Sequence, residues 1–144
     1  MSSIFARTVP GRGWFIAGTV LLFLAGAAHT AGQFTPDEPE LAAGLQAMRT
    51  SHLPMGMGMT PSLFDIFRLL AFTMTVTFFA LGALNTVIVR HRDTTPALLR
   101  TITLLNVMWL TAFIAICYVY AVPPPLISGV VIVPFFVIAL LRNR

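Results

Sequence analysis

Histidine and methionine crowd one short stretch of this chain: His52, Met55, Met57 and Met59 fall within eight residues, interleaved with Gly56 and Gly58. Thioethers are soft donors that select Cu(I), and an imidazole completes such sites. The segment is therefore a candidate copper loop, with His29 as a further nitrogen donor. The plainer reading is an apolar lid across the mouth of the protein, since methionine also makes adaptable apolar contacts.

A second candidate is the pair Asp65 and Arg68, one helical turn apart and so on one helix face, where they are expected to pair. Continuing that face gives Phe72, Thr75, Phe79, Gly82 and Thr86, whose small members point into a bundle rather than at lipid. Ionisable residues at the edge of an apolar helix mark either a structural pair or a ligand or partner contact. Asn85 and Asn106 form the third candidate. Asn85 lies five residues before Arg90, about 7.5 Å along a helix, and Asn106 six after Arg100, about 9 Å. In antiparallel helices these amides share a level, as helix-to-helix glue or as a polar ligand contact.

Other chemistry is poorly supplied. Haem ligation would want two facing helical histidines, and only His29 is helical at depth. Ser62 and Ser128 have no helical histidine nearby. The apolar runs hold no paired carboxylates of the kind a proton-coupled transporter uses, and glycine-rich phosphate loops and zinc spacings are absent. The chain reads as non-enzymatic. A small membrane enzyme or transporter is the remaining alternative.

Four hydrophobic runs must position these residues, at 14–32, 69–89 (in a helix from 61), 98–121 and 126–141. A helix over 61–89 would measure about 43 Å, against a hydrocarbon core of about 30 Å, so its first turns project from the membrane. Thr60 is the expected N-cap, with Pro61 at the first helical position. Residues 33–60 form the only long loop, with an acidic turn holding Asp37, Glu38 and Glu40, then a short amphipathic helix over 41–49. Pro123-Pro124-Pro125 is expected as the turn between the last two runs, and Pro134 as a kink. The first run has an alternative. Arg7 and Arg12 before it and Ala25-Gly26-Ala27 within it suit a cleaved secretory signal, whereas its length favours an uncleaved anchor.

The charges then orient the chain. Seven of nine arginines, Arg7, Arg12, Arg90, Arg92, Arg100, Arg142 and Arg144, flank one set of span ends. Positive charge stays cytoplasmic, so both termini are expected inside and residues 33–60 outside. Of the 144 residues, 57% are hydrophobic and 10% charged, against about 25% charged in soluble domains. That excludes a soluble module, and the net charge of +4 belongs to membrane edges rather than to nucleic acid. Arginine without lysine suggests a GC-rich bacterial genome. The lone Cys117 lies within the third run and has no cysteine to pair with.

This order of features resembles a family of small bacterial four-span inner-membrane proteins whose activity is uncharacterised. The matching parts are Gly26 with His29-Thr30 closing the first span, then His52-Leu53-Pro54-Met55-Gly56. The third is Leu63-Phe64-Asp65-Ile66-Phe67, similar to an aromatic-Asp-x-aromatic motif opening the family's second helix. Arg68 departs from the small residue that follows the motif there. The resemblance implies a fold and a topology, and no activity.

The expected architecture is thus all-α: a single integral membrane domain, a four-helix transmembrane bundle with N-in/C-in topology and a periplasmic segment between the first two spans. The leading function is that of a bacterial inner-membrane accessory or interaction protein. Its partners would be the lipid bilayer and either another membrane protein or an apolar small molecule bound below the Asp65/Arg68 level. Periplasmic Cu(I) handling is the rival.

Overall fold

The backbone forms helices α1 (Arg12–Gly32), α2 (Ala42–Thr50), α3 (Leu63–Arg90), α4 (Pro96–Val119) and α5 (Pro123–Arg142), with a 3-10 turn at Pro39–Leu41. This computed structural model describes residues 9–36, 38–91, 94–120 and 122–143. Arg7, Asp37, Arg92, Asp93, Arg144 and the end of the third span at Ala121 lie outside the described residues. All regular elements among them are helical, and α1, α3, α4 and α5 are long and apolar enough to cross a membrane. Two compact units can be distinguished: Met1–Ala25 with Phe79–Arg144, and Gly26–Phe78.

The first unit holds the first part of α1, the last part of α3, and α4 and α5. Phe15, Leu22, Leu99, Leu110, Ile132 and Phe136 are its buried apolar core. Phe15 meets Phe136 edge-on, with ring centroids 5.5 Å apart, a favoured aromatic geometry. Gly18 makes room for that ring, since a Cβ there would stand 2.9 Å from Phe136 ring carbons. At the end of α3 the carbonyls left without intrahelical donors find other partners. The His91 N–H reaches Val87 and Ile88, Thr94 donates its hydroxyl to Ile88, and Arg12 donates to Val89 at 2.6 Å.

Three boundaries differ from expectation, each for a local reason. α4 starts at Pro96 rather than Leu98, because Thr95 is its N-cap and accepts the Leu98 N–H at 3.1 Å. The proline triplet is the first turn of α5 rather than a separate turn, since first-turn N–H groups lack intrahelical acceptors and proline loses nothing there. α3 starts at Leu63 with Ser62 before it, not after a Thr60 cap. Residues 59–61 are held extended by pairing with 53–55.

Candidate functional site

The methionine stretch is a small hairpin. Leu53 donates its N–H to the Pro61 carbonyl, Met55 to Met59, and Leu63 to Ser51, with an antiparallel bridge between His52 and Ser62. Gly56, Met57 and Gly58 turn the chain, all at positive φ of 78°, 52° and 75°. Glycine takes that conformation freely; methionine does so only under strain. In this register Met55 stands opposite Met59, with Met57 at the tip. The three are 62%, 56% and 96% exposed. Alternation along paired strands puts His52 on the other face from Met55 and Met59. Its Nδ1 lies 3.0 Å from the Thr50 carbonyl. The hairpin therefore brings three thioethers to one end and leaves His52 apart from them.

The hairpin delivers the chain into α3 through Ser62. The Asp65 carboxylate accepts the Ser62 N–H at 3.0 Å and the Ser62 hydroxyl at 2.7 Å, while the Asp65 N–H donates to Ser62 Oγ at 3.1 Å. This is a reciprocal capping box, in which two orphan helix donors satisfy each other's side chains. The hydrogen bonds of Asp65 are therefore with Ser62, and these hold its carboxyl below the usual carboxylate range; the charges of His52 and Arg68 lower it further as lesser causes. Arg68 lies over two rings instead, its guanidinium carbon 5.5 Å from the Phe72 centroid and 5.9 Å from that of Phe64. Arg49, at the end of α2, covers Phe64 at 4.6 Å. Phe64 thus has two guanidinium groups within about 6 Å of its centroid, the range in which its ring quadrupole attracts a cation.

His29 sits on α1 against the backbone of Ala71, and its Nε2 is buried without a hydrogen-bond partner. One residue on, the hydroxyls of Thr30 and Thr75 meet at 3.3 Å, tying α1 to α3. Phe34 and Phe72 pack beyond them at 6.3 Å. These residues, the hairpin and the cap all belong to the Gly26–Phe78 unit.

Asn85 and Asn106 meet in the other unit. Each amide donates to the other's carbonyl, at 3.0 and 3.1 Å, and Asn106 also donates to the Ile102 carbonyl at 2.8 Å. Asn85 is wholly buried and Asn106 nearly so. The two amides make a helix clamp: Asn106 uses both of its N–H donors, while Asn85 uses one of its two in these bonds.

Among the described residues, no three His, Cys, Asp or Glu side chains gather as a metal group. A soft-metal site here would depend on the methionines. Sequence reasoning missed Ser62, although Ser62-Leu63-Phe64-Asp65 has the spacing of a capping box. It missed the Arg49–Phe64 stack for want of any local signal. Compared with protein-family models, curated proteins and solved structures, the chain matches none of them.

Proposed function

We propose that the chain is a multi-pass protein of a bacterial inner membrane, with both termini cytoplasmic, and acts without catalysis. It presents the 51–63 hairpin to a protein partner on the exported side. The charges support this orientation. Arg12, Arg90, Arg100 and Arg142 stand at one set of helix ends, while Glu38, Glu40 and Asp65 stand in or beside the segment between α1 and α3.

One observation carries the binding role: Met57 keeps a positive φ at the most exposed point of the hairpin. Glycine would hold that turn with less strain. Strained backbone persists where the surroundings over-determine it, and such positions cluster at functional sites. An exposed thioether on a turn held by backbone bonds on both sides is an adaptable contact surface on a fixed mount. Asp65, engaged by Ser62, serves as a cap, which fits a role without proton transfer. A small apolar ligand is the other partner in this reading, with His29 Nε2, buried without a partner, as a hydrogen-bonding group for it.

A photo-crosslinking residue at position 57, in native membranes, tests the proposal. A discrete protein adduct, lost when Met55 and Met59 become serine, is the expected result. Adducts to lipid alone would overturn it. A second reading rests on the cross-strand placement of Met55 and Met59, which suits Cu(I) capture by three thioethers.

A further inference from the structure

A groove of about 350 Å³ runs between α1 and α3 at the Arg12/Arg90 end, and the function proposed above makes no use of it. Its volume falls within the range of about 300–1,000 Å³ typical of small-molecule sites. The two arginines stand at its rim. Ile16, Val20 and Phe23 follow along α1, so the wall is apolar below a cationic mouth.

The floor makes no polar demand. Thr19 and Thr86 line it, but each donates its hydroxyl within its own helix, to the Phe15 and Gly82 carbonyls, both at 2.8 Å. An apolar chain laid over them would leave no donor unpaired, and so would not incur that desolvation penalty. Phe23 closes the far end by lying over Gly82, where a Cβ would come within 2.9 Å of its ring.

The length matches one leaflet. Phe23 lies eleven positions after Arg12 on α1, about 16 Å along the helix, and half of a hydrocarbon core is about 15 Å. The mouth is also fixed in place. Arg12 uses one N–H on the Val89 carbonyl at 2.6 Å, which sets its guanidinium over the end of α3. Four more N–H donors remain on that guanidinium. Among the described residues, no carboxylate lines the groove. A phosphate held between two arginines gains charge-assisted hydrogen bonds.

We propose that this groove is a binding site for one anionic glycerophospholipid, its phosphate between Arg12 and Arg90 and an acyl chain along Ile16 and Val20 to Phe23. A bilayer lipid merely passing the helix would need neither the paired charge nor the closed end. The site turns an orientation signal into a lipid-selective one.

Native mass spectrometry of the full chain in detergent, titrated with phosphatidylglycerol or phosphatidylcholine, tests this. The expected result is one phosphatidylglycerol retained about tenfold more tightly than phosphatidylcholine. Arg12→Gln with Arg90→Gln should remove that preference. Arg100→Gln with Arg142→Gln, at the same set of helix ends but outside the groove, should keep it. Val20→Trp should weaken retention of both lipids by filling the groove with both arginines intact. Inorganic phosphate at millimolar concentration should not displace the lipid. Should Arg12→Gln impair folding by uncapping α3, Arg90→Gln alone and Arg12→Lys, which keeps the charge, carry the comparison. Equal retention of the two lipids, equal effects of the two arginine pairs, an inert Val20→Trp, or displacement by phosphate would each overturn the proposal.

Discussion

The carboxylate of Asp65 takes two hydrogen bonds from Ser62, and Ser62 Oγ takes one back from the Asp65 N–H. Asp65 therefore acts on the start of α3 through its neighbour three residues back. Arg68 lies over the Phe64 and Phe72 rings, and its charge is a lesser cause of the lowered Asp65 pKa. An ion pair and a cap make opposite claims about mutants.

If Asp65 and Arg68 were a pair, removing Arg68 alone would be worse than removing both. With Ser62 as the main partner of Asp65, Asp65→Ala and Arg68→Ala should couple only weakly, the double change falling close to the sum of the two. Ser62→Ala should lower stability by about 1 kcal/mol, the usual loss for an N-cap, with α3 fraying near Phe64. Thermal unfolding in detergent and amide exchange over 63–66 read both effects. Strong sub-additivity of Asp65→Ala and Arg68→Ala would restore the ion pair.

The Asn85–Asn106 clamp makes a second demand. Asn85→Leu and Asn106→Leu should each destabilise the protein, by about 1 kcal/mol or more, because each strands a buried amide. The double change removes both polar groups and should be milder than the sum. Additive losses would mean that the two amides do not hold each other.

Both relationships bear on what the residues disclosed beforehand. The spans were legible because long apolar runs bounded by arginine have few alternatives in water or lipid. The asparagine pair was legible because helical rise is constant, so two depths measured from flanking arginines can be compared. The hairpin was not. Thr60-Pro61 is a strong local sign of a helix start, and nothing nearby contradicts it. It is overruled by the Leu53 and Met55 N–H groups donating to the Pro61 and Met59 carbonyls and the Leu63 N–H donating to that of Ser51, pairings that no local propensity encodes. Gly56 and Gly58 make a helix over 52–59 unfavourable, but they do not reveal that the turn holds Met57 in the same left-handed conformation.

The orientation rests on arginine placement and can be tested directly. Reporter fusions after residues 92 and 144 should be cytoplasmic, while fusions near Arg49 and Pro124 should be exported. Moving the bias should move the protein: Arg90→Glu with Arg100→Glu is expected to yield a mixed population by protease accessibility, because these charges flank the turn between two spans. An exported C-terminus in the unaltered protein would reverse the assignment of the hairpin to the outer face.

The copper reading stands or falls on the hairpin's methionines. Met55 and Met59 stand opposite each other in the backbone register, Met57 is at the exposed tip, and His52 lies on the other face with Nδ1 beside the Thr50 carbonyl. Three thioethers alone form a soft site that favours Cu(I) over divalent metals. Purified protein should then bind Cu(I) competitively against a calibrated chelator. Changing Met55, Met57 and Met59 to leucine keeps volume and apolarity and should abolish binding. His52→Ala should change affinity little, since the register separates it from the sulfurs. Loss of binding in His52→Ala as deep as in the triple variant would mean that the hairpin re-registers around the metal. If the unaltered protein binds no Cu(I), or the leucine variant binds as well as it does, these methionines are contact residues and the partner-binding reading stands alone.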